Sequence, residues 1–176
     1  MRFREVWEII IEDYKKYVKN PPSKPKLIDI LKRTFIDRGF NYSLWLRLCY
    51  VNSIIISKPS RVLHFILSTR YGIQIPIKTK IGKGFRINHG VGIIINETAI
   101  IGENITLHQF TTIGTWKGQA AILGNNIMIG PGVSIVDDVT IGNNVIIGAG
   151  SIIVKDIPSN SVVAGNPARI IKQLDL

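Results

Sequence analysis

From Ile75 to Pro158 an aliphatic residue returns every six positions, with Gly, Asn or Asp punctuating the intervals. Ile75, Ile81 and Ile87 lead the first hexads, Ile95, Ile101, Leu107 and Ile113 the next, and Leu123, Ile129, Ile135, Ile141, Ile147 and Ile153 the last. Four residues further on stand smaller or branched partners, Thr79, Ala99, Thr111, Val133, Val139, Val145 and Ser151, with Phe85, Ile105, Ile127 and Ile157 as larger variants. A helix has a period of about 3.6 and a half-exposed strand alternates strictly, so this pattern fits neither. It predicts very short strands that turn a corner each time, three to a coil, with coils stacked at about 4.8 Å. The register slips by two residues between Ile87 and Ile95 and by four between Ile113 and Leu123. Insertions in a solenoid bulge outward without disturbing the stack. The first carries Asn88-His89-Gly90-Val91-Gly92, and the second, Thr115 to Ala121, carries Trp116 and Lys117.

The chain before the hexads reads as four helices. Residues 4–19 put Trp7, Ile10, Ile11, Tyr14 and Val18 on one stripe, and residues 27–37 repeat the pattern with Leu27, Ile28, Ile30, Leu31 and Phe35, closed by Gly39. A third helix over about 43–56 carries Trp45, Leu48 and Cys49, and a fourth over about 60–70 follows Pro59, with His64 as a packing residue. The expected organisation is a helical cap over 1–71, a β-helix over 72–163 and a C-terminal strand with a short helix from Asn166 over 164–176. Covering an open coil explains such a cap.

Composition and charge add to this picture. With 45% hydrophobic and 19% charged residues, the chain is apolar enough to suggest burial against other subunits. The single cysteine, Cys49, suits a reducing compartment, and no apolar signal core follows Met1-Arg2-Phe3-Arg4, so a cytoplasmic location is expected. The net charge of +10 is lopsided: residues 1–80 hold sixteen Lys or Arg against six Asp or Glu, and 81–176 hold six of each. Two readings of Arg47, Arg61, Arg70 and their neighbours stand side by side, an ordinary solvated surface and a face for a charged acceptor or the inner face of a membrane. No nucleic-acid partner is expected.

The hexads, Asn88-His89-Gly90-Val91-Gly92 with Ile95-Asn96-Glu97-Thr98, and Ala164-Gly165-Asn166-Pro167-Ala168-Arg169 resemble the left-handed β-helix hexapeptide acyltransferases, nearest the serine O-acetyltransferase branch. The resemblance covers about residues 72–173. It implies a homotrimer with parallel prism axes and acetyl-CoA as co-substrate. His89, expected to point outward, is suited to act as general base on an acceptor hydroxyl that attacks the thioester, and the resemblance carries the same role onto it. The competing reading is a surface histidine without function. Asn88 stands in the same motif, and Glu97 matches a family glutamate that orients the acceptor or supports the His89 loop.

Stacking places His108 and Gln109 below Asn88 and His89, then Gly130 and Pro131, then Gly148 and Ala149. This strip of small residues fits the pantetheine arm of coenzyme A, although solenoid corners alone explain each glycine singly. His108 reads equally as a contact of base or acceptor and as a polar interface residue. Lys155, Arg169 and Lys172 are candidates for the nucleotide phosphates or plain surface cations. Trp116 and Lys117 suit a lid, an interface plug or, for the tryptophan, a sugar stack. No metal is expected, since outside the cap only His89 and His108 could contribute imidazoles.

The serine branch carries Asp where this chain has Gln74 and Asn88, and an Asp-Arg-His that the loop at Thr115 lacks. These departures favour a sugar hydroxyl in capsular, exo- or lipopolysaccharide assembly as the glycan acceptor. Serine is the alternative small-molecule acceptor, and a non-catalytic assembly module the second alternative. Acetyl is the default acyl group because no acyl-chain tunnel is suggested.

Overall fold

The computed structural model describes residues 1–116 and 118–175. The cap consists of α1 (Phe3–Lys15), α2 (Leu27–Ile36), α3 (Arg38–Leu48) and α4 (Ile54–Tyr71). The third helix starts earlier than its apolar residues suggest because Asp37 caps it, its carboxylate accepting the Phe40 N–H at 3.1 Å. Gly39 therefore lies inside α3 and does not terminate α2. A Cβ at Gly39 would sit 2.0 Å from the Ile87 carbonyl oxygen, so the glycine lets α3 touch the prism. The fourth helix likewise begins before Pro59, at Ile54.

The remainder is a left-handed parallel β-helix whose short strands fall into three sheets. The first sheet holds β1 (Lys80–Ile81), β4 (Ile100–Ile101), β7 (Ile122–Leu123) and β10 (Thr140–Ile141). The second holds β2 (Arg86–Ile87), β5 (Thr106–Leu107), β8 (Met128–Ile129), β11 (Ile146–Ile147), β13 (Ser161–Gly165) and β14 (Ala168–Gln173). The third holds β3 (Ile94–Ile95), β6 (Thr112–Gly114), β9 (Ser134–Val136) and β12 (Ile152–Ile153). The register is in phase with the hexads: Ile87, Leu107, Ile129, Ile147 and Val163 stack in one column. Every hexad-leading residue is buried except Ile81, which is half-buried, and so is every partner four residues on. Two of the polar partners are satisfied by their own corners, Thr111 donating to the His108 carbonyl at 2.8 Å and Ser151 to the Gly148 carbonyl at 2.6 Å.

Corners between the first and second sheets are made by Asn104, Asn126, Asn144 and Asn160, all left-handed with φ near +60°. Asparagine tolerates that region better than other side chains with a Cβ. The amides also form a ladder, Asn126 donating to Asn144 at 3.0 Å and Asn144 to Asn160 at 2.8 Å.

The C-terminal helix expected from Asn166 is replaced by β14, which pairs antiparallel with β13 through a turn at Asn166-Pro167, where the peptide bond is cis. Pairing covers a strand edge that a helix would have left open.

The cap is locked onto the first coil by a buried ion pair. Arg47 on α3 and Asp13 on α1 are each 1% exposed, with Nε to Oδ2 at 2.8 Å. The guanidinium also donates to the carbonyls of Ile81, at 2.7 Å, and Gly82, while Asp13 accepts the Phe85 N–H at 2.8 Å and the Ser43 hydroxyl at 3.3 Å. Arg47 is therefore internal and not part of a basic outer face. Burial pushes the Asp13 carboxyl up, against the pull of Arg47 and these hydrogen bonds.

His64 packs as expected, 8% exposed with its ring 4.9 Å from that of Tyr42, and its Nε2 has no hydrogen-bond partner. Burial lowers its pKa. As pH falls, the unfolded chain takes up this proton first. The stability His64 contributes is then full above about pH 6.5 and is lost as pH falls through the lowered folded value.

Two outcomes follow. Arg47→Met strands a buried carboxylate and should cost about 3–5 kcal/mol in urea unfolding. The melting temperature of the parent chain should drop between about pH 7.5 and about pH 5.5, and His64→Phe should shrink that drop.

Candidate active site

The edge where the second sheet hands over to the third carries the main cluster. After β2 the chain makes the inserted loop Asn88 to Gly92, with His89 exposed and left-handed at φ +63°. The loop is packed from both sides. A Cβ at Gly90 would meet the Gly39 nitrogen at 2.9 Å and one at Gly92 the Phe110 ring at 2.5 Å. Glycine is thus dictated by α3 on one side and the next coil on the other. His89 shares a hollow of about 360 Å³ with Ile36, Asp37 and Arg38 at the α2–α3 junction.

One coil below, His108 lies with its ring centroid 6.5 Å from that of His89. Its Nδ1 is 2.8 Å from the Ile129 carbonyl oxygen, which can only accept, so Nδ1 carries the proton. Nε2 is then an acceptor for the Asn88 amide at 3.0 Å. This chain of bonds fixes the His108 ring and holds Asn88 beside His89. Gln109 is half-buried and its Oε1 has no partner.

Gly130 and Gly148 continue the column, each donating its N–H to the coil below, to Ile147 at 2.9 Å and Val163 at 2.8 Å. A Cβ on Gly130 would lie 2.8 Å from the Ala149 nitrogen, so stacking by itself demands that glycine. Ala149 is exposed. At the foot of the column Ala164 follows, paired on β14 with Arg169, and Lys172 pairs with Val162 one step away. Both cations are exposed strand residues, not helical ones.

Glu97, Trp116 and Lys155 are not brought to His89 within one chain. They stand on the next edge, between the third and first sheets. Glu97 is exposed and lines a separate hollow with Arg61, Pro76, Ile77 and Lys78. Among the described residues it makes no hydrogen bond, so it does not support the His89 loop. Trp116 is 94% exposed, its backbone N–H held by Asp137 Oδ1 at 3.1 Å. Lys155 is exposed after β12. Lys117 lies outside the described residues. Among those described, no group of three His, Cys, Asp or Glu side chains could hold a metal ion.

Sequence reasoning missed Asp37 and Arg38 beside His89, and Asp137 beneath the Trp116 loop. Asp37 is fully committed, with Oδ1 capping α3 and Oδ2 bound to Arg33 at 3.2 Å. The glycine at position 39 was the available signal, because a buried glycine within a helix marks a close backbone approach.

Residues 120–155 match the family model described as bacterial transferase hexapeptide (six repeats). The chain is 39% identical over 113 residues to serine acetyltransferase 2 of Arabidopsis thaliana, covering 62% of this chain and 35% of the relative. It superposes on Neisseria gonorrhoeae serine acetyltransferase in complex with serine, with a TM-score of 0.77 and 25% identity, over 97% of this chain and 70% of that one. A serine acetyltransferase in complex with CoA shares the fold, with a TM-score of 0.77 and 22% identity over 96% of this chain and 71% of that one. The chain spans about a third to a half of the length of the curated relatives it matches. These findings overturn the expected sugar acceptor and its role in polysaccharide assembly. The absent aspartates and Asp-Arg-His are local departures within a likeness that covers 97% of this chain.

Substituting Gly39→Ala should push α3 off Ile87 and Gly90, lower the melting temperature and raise backbone amide exchange across residues 88–92.

Proposed function

We propose that this hexapeptide-repeat β-helix is an acetyl-CoA-dependent serine O-acetyltransferase with His89 as general base. The observation that carries the reading is the position of His89, an exposed imidazole on a rigid glycine-flanked loop at the head of a column of small residues. Similarity to serine acetyltransferases supports the donor and the acceptor.

His89 accepts the proton of the serine hydroxyl as its oxygen attacks the thioester carbonyl of acetyl-CoA. The tetrahedral intermediate collapses with cleavage of the C–S bond, and the imidazolium returns the proton to the departing thiolate. The products are O-acetylserine and coenzyme A, with no covalent acyl-enzyme. Asn88, held by His108, offers a neutral polar contact where the serine branch has a carboxylate. The strip from Gly130 to Ala149 takes the pantetheine arm, and Arg169 and Lys172 at its foot pair with phosphates.

A neighbouring copy completes the site. Packing the His89 edge of one prism against the next edge of another brings Glu97, the Trp116 loop and Lys155 to the column. Three copies close such a ring, because the edges meet in a repeating sense around a threefold axis.

The test is release of free thiol from acetyl-CoA with serine as acceptor. The parent chain should turn over, and His89→Ala should lose about 10²–10⁴-fold in kcat at unchanged oligomeric state. Serine-dependent turnover that survives the substitution would remove His89 from the mechanism.

A further inference from the structure

Helix α2 is mounted with its apolar side outward. Only Ile30 of its ten residues is buried. Leu27, Ile28, Leu31, Phe35 and Ile36 are 43–90% exposed, Phe35 the most. Apart from Ile30, which joins the core of the cap, the side turned to the protein is polar. Asp29 and Thr34 are half-buried, and Arg33 lies with its guanidinium 5.8 Å from the Tyr17 ring centroid while bonding Asp37. A water-facing helix of a globular domain carries the opposite arrangement.

Charge selects the occupant. Lys24, Lys26 and Lys32 are exposed on or just before the helix, and among the described residues none has a carboxylate partner. The nearby acids are occupied: Asp29 accepts the Lys26 N–H at 3.1 Å and Asp37 holds Arg33 and the α3 cap. A symmetric contact between two copies would set these lysines against their own images, whereas interface centres are depleted of lysine. An aliphatic and phenyl stripe bordered by unpaired lysines is complementary to anionic headgroups over hydrocarbon.

We infer that α2 docks the protein on an anionic phospholipid surface, inserting Leu27, Leu31 and Phe35 at the interface with Lys24, Lys26 and Lys32 on the headgroups. No described helix is long and apolar enough to cross a membrane, so the contact is peripheral. It is independent of the acceptor. The stripe ends at Ile36, which also lines the His89 hollow, so docking sets that hollow at the rim of the contact.

Flotation with vesicles of phosphatidylglycerol and phosphatidylcholine, against phosphatidylcholine alone, tests it. The full chain should partition to the mixed vesicles, and raising salt to about 1 M should weaken this. Changing Lys24, Lys26 and Lys32 to Gln should lower the partition coefficient about fivefold per lysine. Leu31→Ser with Phe35→Ser should lower it at least about tenfold, with an unchanged melting temperature because both side chains are exposed. Absence of the parent chain from mixed vesicles, or binding that survives the double substitution, would overturn the inference. So would light scattering that finds no vesicle binding and a smaller oligomer for the double variant, which would assign the face to a second copy.

Discussion

The Asp13–Arg47 pair is the constraint on which the cap, and through it the His89 loop, depends. Two charges out of water are costly unless every lone pair and N–H is matched. Here the carboxylate accepts four hydrogen bonds and the guanidinium gives four of its five N–H groups, to partners from three places: α1, α3 and the backbone of the first coil at Ile81, Gly82 and Phe85. Sliding α3 along the prism would break several of these bonds together. The same helix presents Gly39 to Ile87 and Gly90, so the pair fixes, at one remove, the floor against which the imidazole loop rests.

The three edges of the prism do different work. One is an asparagine ladder and is structural. Another carries His89, His108 and the small-residue column, and the third carries Glu97, the Trp116 loop and Lys155. Asn88 is neutral where the serine acetyltransferase branch carries an aspartate, and its amide is held by His108 Nε2 at 3.0 Å. The fold tolerates such an exchange because first positions of the hexads, not the corner residues, fill the core.

What was legible in the sequence was whatever obeyed the six-residue period. The burial of Ile75 through Ile153, the column beneath Asn88 and the outward His89 all follow from counting. Edge assignment was in principle countable too, and phase would have separated Glu97 and Lys155 from His89. Contacts without a period were not legible. Arg47 and Asp13 are 34 residues apart, and nothing local distinguishes a paired arginine from a solvated one. An amphipathic pattern states that a helix has two sides but not which side finds a partner, which is why the stripe of α2 reads as core. At Asn166 the propensity for a turn was right, but the open edge of β13 captured the segment that follows.

The stacking of coils also acts as a ruler. From Asn88 through His108, Gly130 and Gly148 to Ala164 there are four coil steps, about 19 Å at the usual strand spacing. A molecule that touches both the imidazole loop and Arg169 must have that length, and a coil added or deleted between them would change it by one whole step. Reach on this protein is therefore quantised, set by the number of turns and not by the identity of the side chains along them.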